Sequence, residues 1–266
     1  MANRIDQTFQ ELRSAGRKAF MPFVTAGDPD LAATAAIIRA MAGRGASMIE
    51  LGLPYSDPVA DGPTIQASYT RSLAGGTTLD GIFAMVRELR KDCQTPISAM
   101  GSFSLVYRRG VERFVHDAAE AGFDGLIIPD LPLEEYATVG AAAEKLALAH
   151  IMLIAPTTPW ERARQLARQS TGFVYYISVA GITGERKDLP KELAERVARL
   201  REVTPTPICV GFGISRPEQV RQVTGMADGA IVGSAIVRRV HDLSSGPREK
   251  LAAGVGDYVA ELTALP

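Results

Sequence analysis

Short apolar runs alternate along the chain with longer stretches in which apolar positions recur every three or four residues. The runs are "AFMPFVT", "SMIELG", "PISAM", "GLIIPD", "HIMLIAP", "FVYYIS", "PICVGFG" and "GAIVGS". Most are continuously hydrophobic, as expected of parallel strands covered on both faces rather than strands with one wet side. The stretches between them have helical period: "DLAATAAIIRAMAGRG", "LDGIFAMVRELRKD", "VERFVHDAAEAG", "LEEYATVGAAAEKLAL", "WERARQLARQ", "KELAERVARLREV" and "RPEQVRQV". Asp30 and Ser215 stand where N-caps are expected, Pro217 suits a first helical turn, and Gly45 and Gly122 follow helix ends. Eight strands, each followed by at least one helix, predict a (β/α)8 TIM barrel rather than an open doubly wound sheet. No "GxGxxG" follows the first strand, which runs into "FVTAGDPD". An additional N-terminal helix, "RIDQTFQELRSAG", is placed to cover the barrel floor, and residues 1–266 read as a single catalytic domain.

Composition narrows this picture without changing it. The chain has 266 residues, 46% hydrophobic, enough for one large α/β core. A formal charge of −1 with interleaved signs favours neither nucleic acid nor an anionic membrane. The two cysteines, Cys93 and Cys209, are too few for a disulfide framework and fit a reducing compartment. With no apolar run long enough to span a bilayer, a soluble cytoplasmic protein is expected.

Barrel chemistry belongs at the C-terminal ends of the strands. There the stretch "IELGLPYSDPVADG" places Glu50 at the end of the second strand and Asp61 in the following loop. Glu50 could be an ion-paired structural carboxylate, and Asp61 could cap the helix beginning "PTIQASYTRSL". Two carboxyls facing one apolar cavity would instead suit proton transfer near neutrality, because burial raises a carboxyl pKa. Across the mouth, "VGFGIS" and "IVGSAIV" bring Gly211, Gly213, Gly233 and Ser234 to adjacent strand ends. Glycine lets backbone N–H groups approach an anion, and each loop leads toward a helix N-terminus, so a phosphate monoester is the expected ligand group. "SVAGITGERKD" can add Gly184 and close as a lid.

What is missing matters too. No lysine ends a predicted strand, which argues against a Schiff-base aldolase. His116 and His241 fall on predicted helices and His150 at the N-terminal end of strand five, so no metal site is expected. Acid–base chemistry by carboxyls on a phosphorylated substrate remains.

Taken together, "PFVTAGDP", "IELGLPYSDPVADGPTIQ", "GLIIPDLP", "GITG", "VGFGIS" and "IVGSAIV" resemble, in order and over nearly the whole chain, the tryptophan synthase α-subunit family. The resemblance implies retro-aldol cleavage of indole-3-glycerol phosphate to indole and glyceraldehyde 3-phosphate, with no cofactor on this chain. It implies a β subunit carrying pyridoxal phosphate as partner, in an αββα heterotetramer. By position it makes Glu50 the proton-transferring carboxyl, Asp61 the acceptor of the indole N–H and Tyr175 an active-site tyrosine. It puts Phe23 against the indole ring and Thr183 in the lid, with Gly184, Gly213, Gly233 and Ser234 around the phosphate. Pro58 and Asp130 match partner-contact positions.

One stretch departs from that family. Where a tyrosine and an asparagine usually follow strand three, "AMGSFSLVYRRG" has Ser102 and Ser104. The pocket wall and the coupling to a partner are the properties this change touches. Three alternatives stay open from sequence alone: a free-standing lyase that releases indole, a phosphosugar isomerase or synthase on a related barrel, and a silent scaffold that only activates β.

Overall fold

All eight apolar runs form parallel strands, and the sheet they make closes on itself. The computed structural model describes residues 3–59, 61–131, 135–178, 192–211 and 213–264. The strands are β1 (Ala19–Thr25), β2 (Ile49–Gly52), β3 (Ile97–Met100), β4 (Gly125–Ile127), β5 (Ala149–Ile154), β6 (Val174–Ile177), β7 (Ile208–Gly211) and β8 (Gly229–Val232). Each pairs with the next, and β8 pairs with β1 through Ala19↔Gly229 and its neighbours. This is a TIM barrel.

The surrounding helices among the described residues include α1 (Arg4–Ser14), α2 (Leu31–Ala42), α3 (Pro63–Ala74), α4 (Leu79–Leu89), α5 (Phe103–Arg109) and α6 (Val111–Ala121). They continue with α7 (Tyr136–Lys145), α8 (Trp160–Gln169), α9 (Leu193–Arg201), α10 (Pro217–Met226), α11 (Ser234–Leu243) and α12 (Arg248–Thr263). None is long and apolar enough to cross a membrane.

Several boundaries follow from local chemistry. Asp30 caps α2, its carboxylate accepting from Ala33 N at 2.7 Å. Gly122 ends α6 in the left-handed region that a Cβ disfavours. Pro217 occupies the first turn of α10, but the cap before it is Arg216 rather than Ser215. Gln219 explains the difference. Its Oε1 accepts from the backbone N–H groups of Ser215 and Arg216, at 2.9 and 3.1 Å, so a side chain inside the helix satisfies the entry. Gly45 lies further out than expected, since α2 stops at Ala42 with Gly43 as its cap.

Strand parity decides which residues meet the barrel interior. On β1, Met21 and Phe23 join the interior cluster, whereas Phe20 and Val24 pack outward under the helices. On β6, Tyr175 joins the interior cluster, whereas Val174 and Tyr176 face out. The floor is sealed by α1, whose Ile5, Phe9 and Leu12 recur at helical spacing and belong to the same interior cluster. Beside it, buried Asp124 accepts from Arg90 Nη2 at 2.6 Å, Arg4 Nη1 at 2.8 Å and Ile97 N at 2.8 Å.

Candidate active site

At the opposite end, β1 and β2 run in register so that Phe23 pairs with Glu50, which pairs in turn with Ser98 on β3. The Glu50 side chain shares the inward parity of Phe23 and lines a cavity at the barrel mouth. The same cavity is lined by Asp61, Tyr175, Gly213, Gly233 and Ser234. Seven residues singled out by the sequence therefore converge from five segments of chain on one space. Thr183 and Gly184 lie outside the described residues.

Both carboxyls are buried, Glu50 4% and Asp61 8% exposed. Their surroundings differ from those of the other buried acids. Asp28 is held by Arg71 through two hydrogen bonds of 3.0 and 2.6 Å, and Asp124 by two arginines. Glu50 Oε1 has no hydrogen-bond partner among the described residues. Among the described residues no cation pairs with Glu50, which argues against an ion-paired structural role. Burial, reinforced by the negative charge of Asp61, raises its pKa to about 8. Asp61 is raised by burial to about 6, and a hydrogen bond from Tyr55 works in the other direction. At neutral pH Glu50 therefore keeps its proton and Asp61 has lost its own, a division of states within one cavity.

Nor does Asp61 cap a helix. The cap of α3 is Gly62, with no side-chain bond, and Pro63 takes the first turn. The Asp61 carboxylate instead accepts from Tyr55 Oη at 3.3 Å. Tyr175 is fully buried on β6, and burial raises its pKa well above the usual phenol value, aided by the charges of Glu50 and Asp61. It stays a neutral hydrogen-bond donor.

Two glycines make room for the aromatic walls. A Cβ on Gly52 would lie 2.4 Å from the Phe23 ring, and one on Gly211 would lie 2.6 Å from Tyr175 Oη. Gly211 therefore serves the tyrosine rather than an anion. Gly213 has φ +81°, a conformation that favours glycine, and Gly233 with Ser234 opens α11 toward the cavity. The motifs do not single out Ile65 and Met100, yet both line the cavity. Parity on β3 places Met100 two residues beyond Ser98 on the same face, and Ile65 lies one helical turn before buried Tyr69 on α3.

Pro58 and Asp130 lie outside this cavity. Pro58 O accepts from Gln66 Nε2 at 3.2 Å, while the Asp130 carboxylate accepts from Ser102 Oγ and Phe103 N, each at 2.7 Å. Ser102 thus caps α5 and ties Asp130 to it. Among the described residues, one trio has the spacing to hold a metal ion, His116, Asp117 and Glu120. None of them lines the cavity, and Asp117 already accepts from Arg109 Nε at 2.6 Å.

Residues 9–261 match the family model described as tryptophan synthase alpha chain. The chain is 51% identical to the tryptophan synthase alpha chain of Geobacter sulfurreducens over 236 residues, 89% of either chain. It is 46% identical to that of a Synechococcus species over 255 residues, covering 96% of this chain and 94% of the other. Among solved structures it is similar to tryptophan synthase subunit alpha from Legionella pneumophila, with TM-score 0.86, 34% identity and coverage of 97% and 99%. It is also similar to a chain of tryptophan synthase from M. tuberculosis in its aminoacrylate-bound form, with TM-score 0.85, 34% identity and coverage of 98% and 100%.

Proposed function

The chain belongs to the tryptophan synthase alpha chain family and is a lyase that cleaves indole-3-glycerol phosphate to indole and glyceraldehyde 3-phosphate; we propose that Glu50 and Asp61 divide the chemistry of that cleavage. The observation that carries this reading is the pair of buried carboxyls in one cavity, with no cation against either among the described residues, so that burial raises both pKa values, that of Glu50 the further.

Carbon–carbon cleavage needs a proton at indole C3 and the loss of one from the glycerol hydroxyl next to it. Glu50, neutral at pH 7, gives its proton to C3. The positive charge that develops on the ring is shared by the indole nitrogen, whose N–H donates to the Asp61 carboxylate. The Glu50 carboxylate then takes the hydroxyl proton as the carbonyl forms. The bonding pair of the broken C–C bond returns to the ring, which becomes neutral indole, and Glu50 ends protonated as it began. Asp61 acts by charge held in place before the reaction, a contribution of about 10² to 10³ in rate. Tyr175 donates a hydrogen bond toward the glycerol portion, and Phe23 with Ile65 and Met100 walls the ring.

The phosphate is assigned to the backbone at Gly213, Gly233 and Ser234, where α11 offers free N–H groups. Thr183 and Gly184, which lie outside the described residues, are assigned to this site by the family resemblance alone.

The chain is read as one cytoplasmic catalytic domain that needs no cofactor of its own. A β subunit carrying pyridoxal phosphate receives the indole, in an αββα assembly. Pro58 and Asp130 border its contact surface, where Val59 and Tyr107 leave 76% and 75% of their areas exposed. Large apolar side chains so exposed suit burial by a partner. One observation favours the alternative of a free-standing lyase: both Asp130 oxygens are engaged within the chain, by Ser102 and Phe103. Indole release by the isolated chain, with and without β subunit, separates the two. Marked acceleration by β supports the assembly, and fast turnover indifferent to β supports the free lyase. Loss of cleavage in Glu50→Gln with retained glycerol-phosphate binding supports the assignment of Glu50, and near-parental turnover removes it.

A further inference from the structure

Asp61 stands on a loop rather than on the barrel wall, so its aim depends on local contacts. Its backbone is clamped by Gln66 on α3, whose Nε2 donates to Asp61 O at 2.7 Å and to Pro58 O at 3.2 Å. Its N–H donates to Pro58 O at 3.1 Å. Its carboxylate is held differently, by the Tyr55 hydroxyl at 3.3 Å. The Tyr55 ring packs on Tyr69 with centroids 5.4 Å apart, and Tyr69 is buried in the same helix that Gln66 belongs to. Tyr55 also lines a second, larger cavity that shares Asp61 and Met100 with the first.

We propose that Tyr55 is a positioning residue that anchors its ring on Tyr69 and uses its hydroxyl to hold the Asp61 carboxylate toward the cavity. This rests on the reading of Asp61 as the acceptor of the indole N–H.

The charge environment makes the hydroxyl consequential. Glu50 faces Asp61 from β2, Tyr69 from α3 and Tyr175 from β6, while Asp57 and Asp130 act on Tyr55 itself. None of these groups is cationic. Burial favours neutral Asp61, and the Tyr55 bond favours the carboxylate.

The test is the pH dependence of kcat/KM for indole-3-glycerol phosphate in Tyr55→Phe, Asp61→Asn and the double variant. Phenylalanine keeps the ring on Tyr69 and removes only the hydroxyl. The acid limb of Tyr55→Phe is expected to move up by about one pH unit, the scale of one hydrogen bond to a charged group. Above that limb its rate should stay several-fold below the parent, because Asp61 is then ionised in both proteins but held toward the cavity in only one. The substrate phosphate titrates identically in both, so the difference isolates the enzyme. On the Asp61→Asn background Tyr55→Phe should add nothing. A carbon-13 titration of the Asp61 carboxyl in the full chain should show the same upward shift without turnover. An unmoved limb with an unchanged plateau, or additive effects in the double variant, overturns the proposal, while a slow Asp61→Asn leaves the Asp61 reading standing. Parental turnover by Asp61→Asn removes both.

Discussion

The two ends of the barrel bury the same chemical group in opposite ways. At the floor, Asp124 is surrounded by two arginines and a backbone N–H, so the cost of burying its charge is offset by three donors. At the mouth, among the described residues, Glu50 is as deeply buried with one oxygen unpartnered, and the Asp61 carboxylate accepts a long bond from Tyr55. Stability alone would favour replacing Glu50 by an apolar residue, since an unsatisfied buried polar atom costs free energy. A carboxyl kept in that state is available to a reaction. The contrast matches the division of labour in such barrels, with stabilising residues at the strand N-termini and reactive ones at the C-termini.

The contrast breaks most visibly at Glu50. Glu50→Gln is expected to lose cleavage by up to about 10⁴-fold, the upper range for positioned acid–base groups, measured as indole release. It should also gain stability at alkaline pH. The folded pKa of about 8 lies above the reference 4.5, so the folded parent holds a proton that the unfolded chain gives up. Parental stability therefore falls as pH rises from 4.5 through about 8, and the glutamine variant escapes that loss. Melting curves at pH 5 and pH 9 test this, and an equal pH slope in both proteins would mean that Glu50 is not held neutral.

Asp124→Ala should do the reverse. Leaving Arg90 buried without its carboxylate costs roughly 3–5 kcal/mol in denaturant melts, whereas kcat below the melting range stays near the parental value. A comparable loss of kcat in folded protein would dissolve the distinction between the ends. Asp61→Asn should slow cleavage by about 10² to 10³ with little change in melting temperature.

The smallest effect is expected at His150, stacked at 4.6 Å on Tyr136 near the floor. Burial lowers its pKa to about 4, so the folded chain binds fewer protons than the unfolded one below the reference 6.5. Its contribution is lost as pH falls from 6.5 through 4. His150→Phe keeps a stacking ring and should flatten that acid slope in a melting series, and an unchanged slope would assign the acid sensitivity elsewhere.

The strands were the most legible part of the chain because burial on both faces leaves uninterrupted apolar runs. Two helices were not. α5 is too short to establish a period, and its start is set by Ser102 together with Asp130, a partner far away in sequence. α12 contains Gly254 and Gly256, residues that weaken a helical pattern. Gly256 instead lets α12 approach α2, since a Cβ there would sit 3.2 Å from Ala40. In the site, Glu50, Asp61 and Tyr175 stand out because they lie at or just beyond strand ends or match a motif. Tyr55 does not, because its role depends on the ring of Tyr69, which only the folded loop brings within reach.

The contacts of Gly52 with Phe23 and of Gly211 with Tyr175 have a consequence for how the pocket can diversify. Each ring occupies space that belongs geometrically to the neighbouring strand, so ring and glycine form a two-residue unit of inheritance. A methyl group added at Gly52 or Gly211 alone collides with its ring, while trimming the ring alone leaves a void beside the substrate. Natural variation in the size of this pocket should therefore travel in linked pairs, with the smaller aromatic position permitting the larger residue across the strand gap.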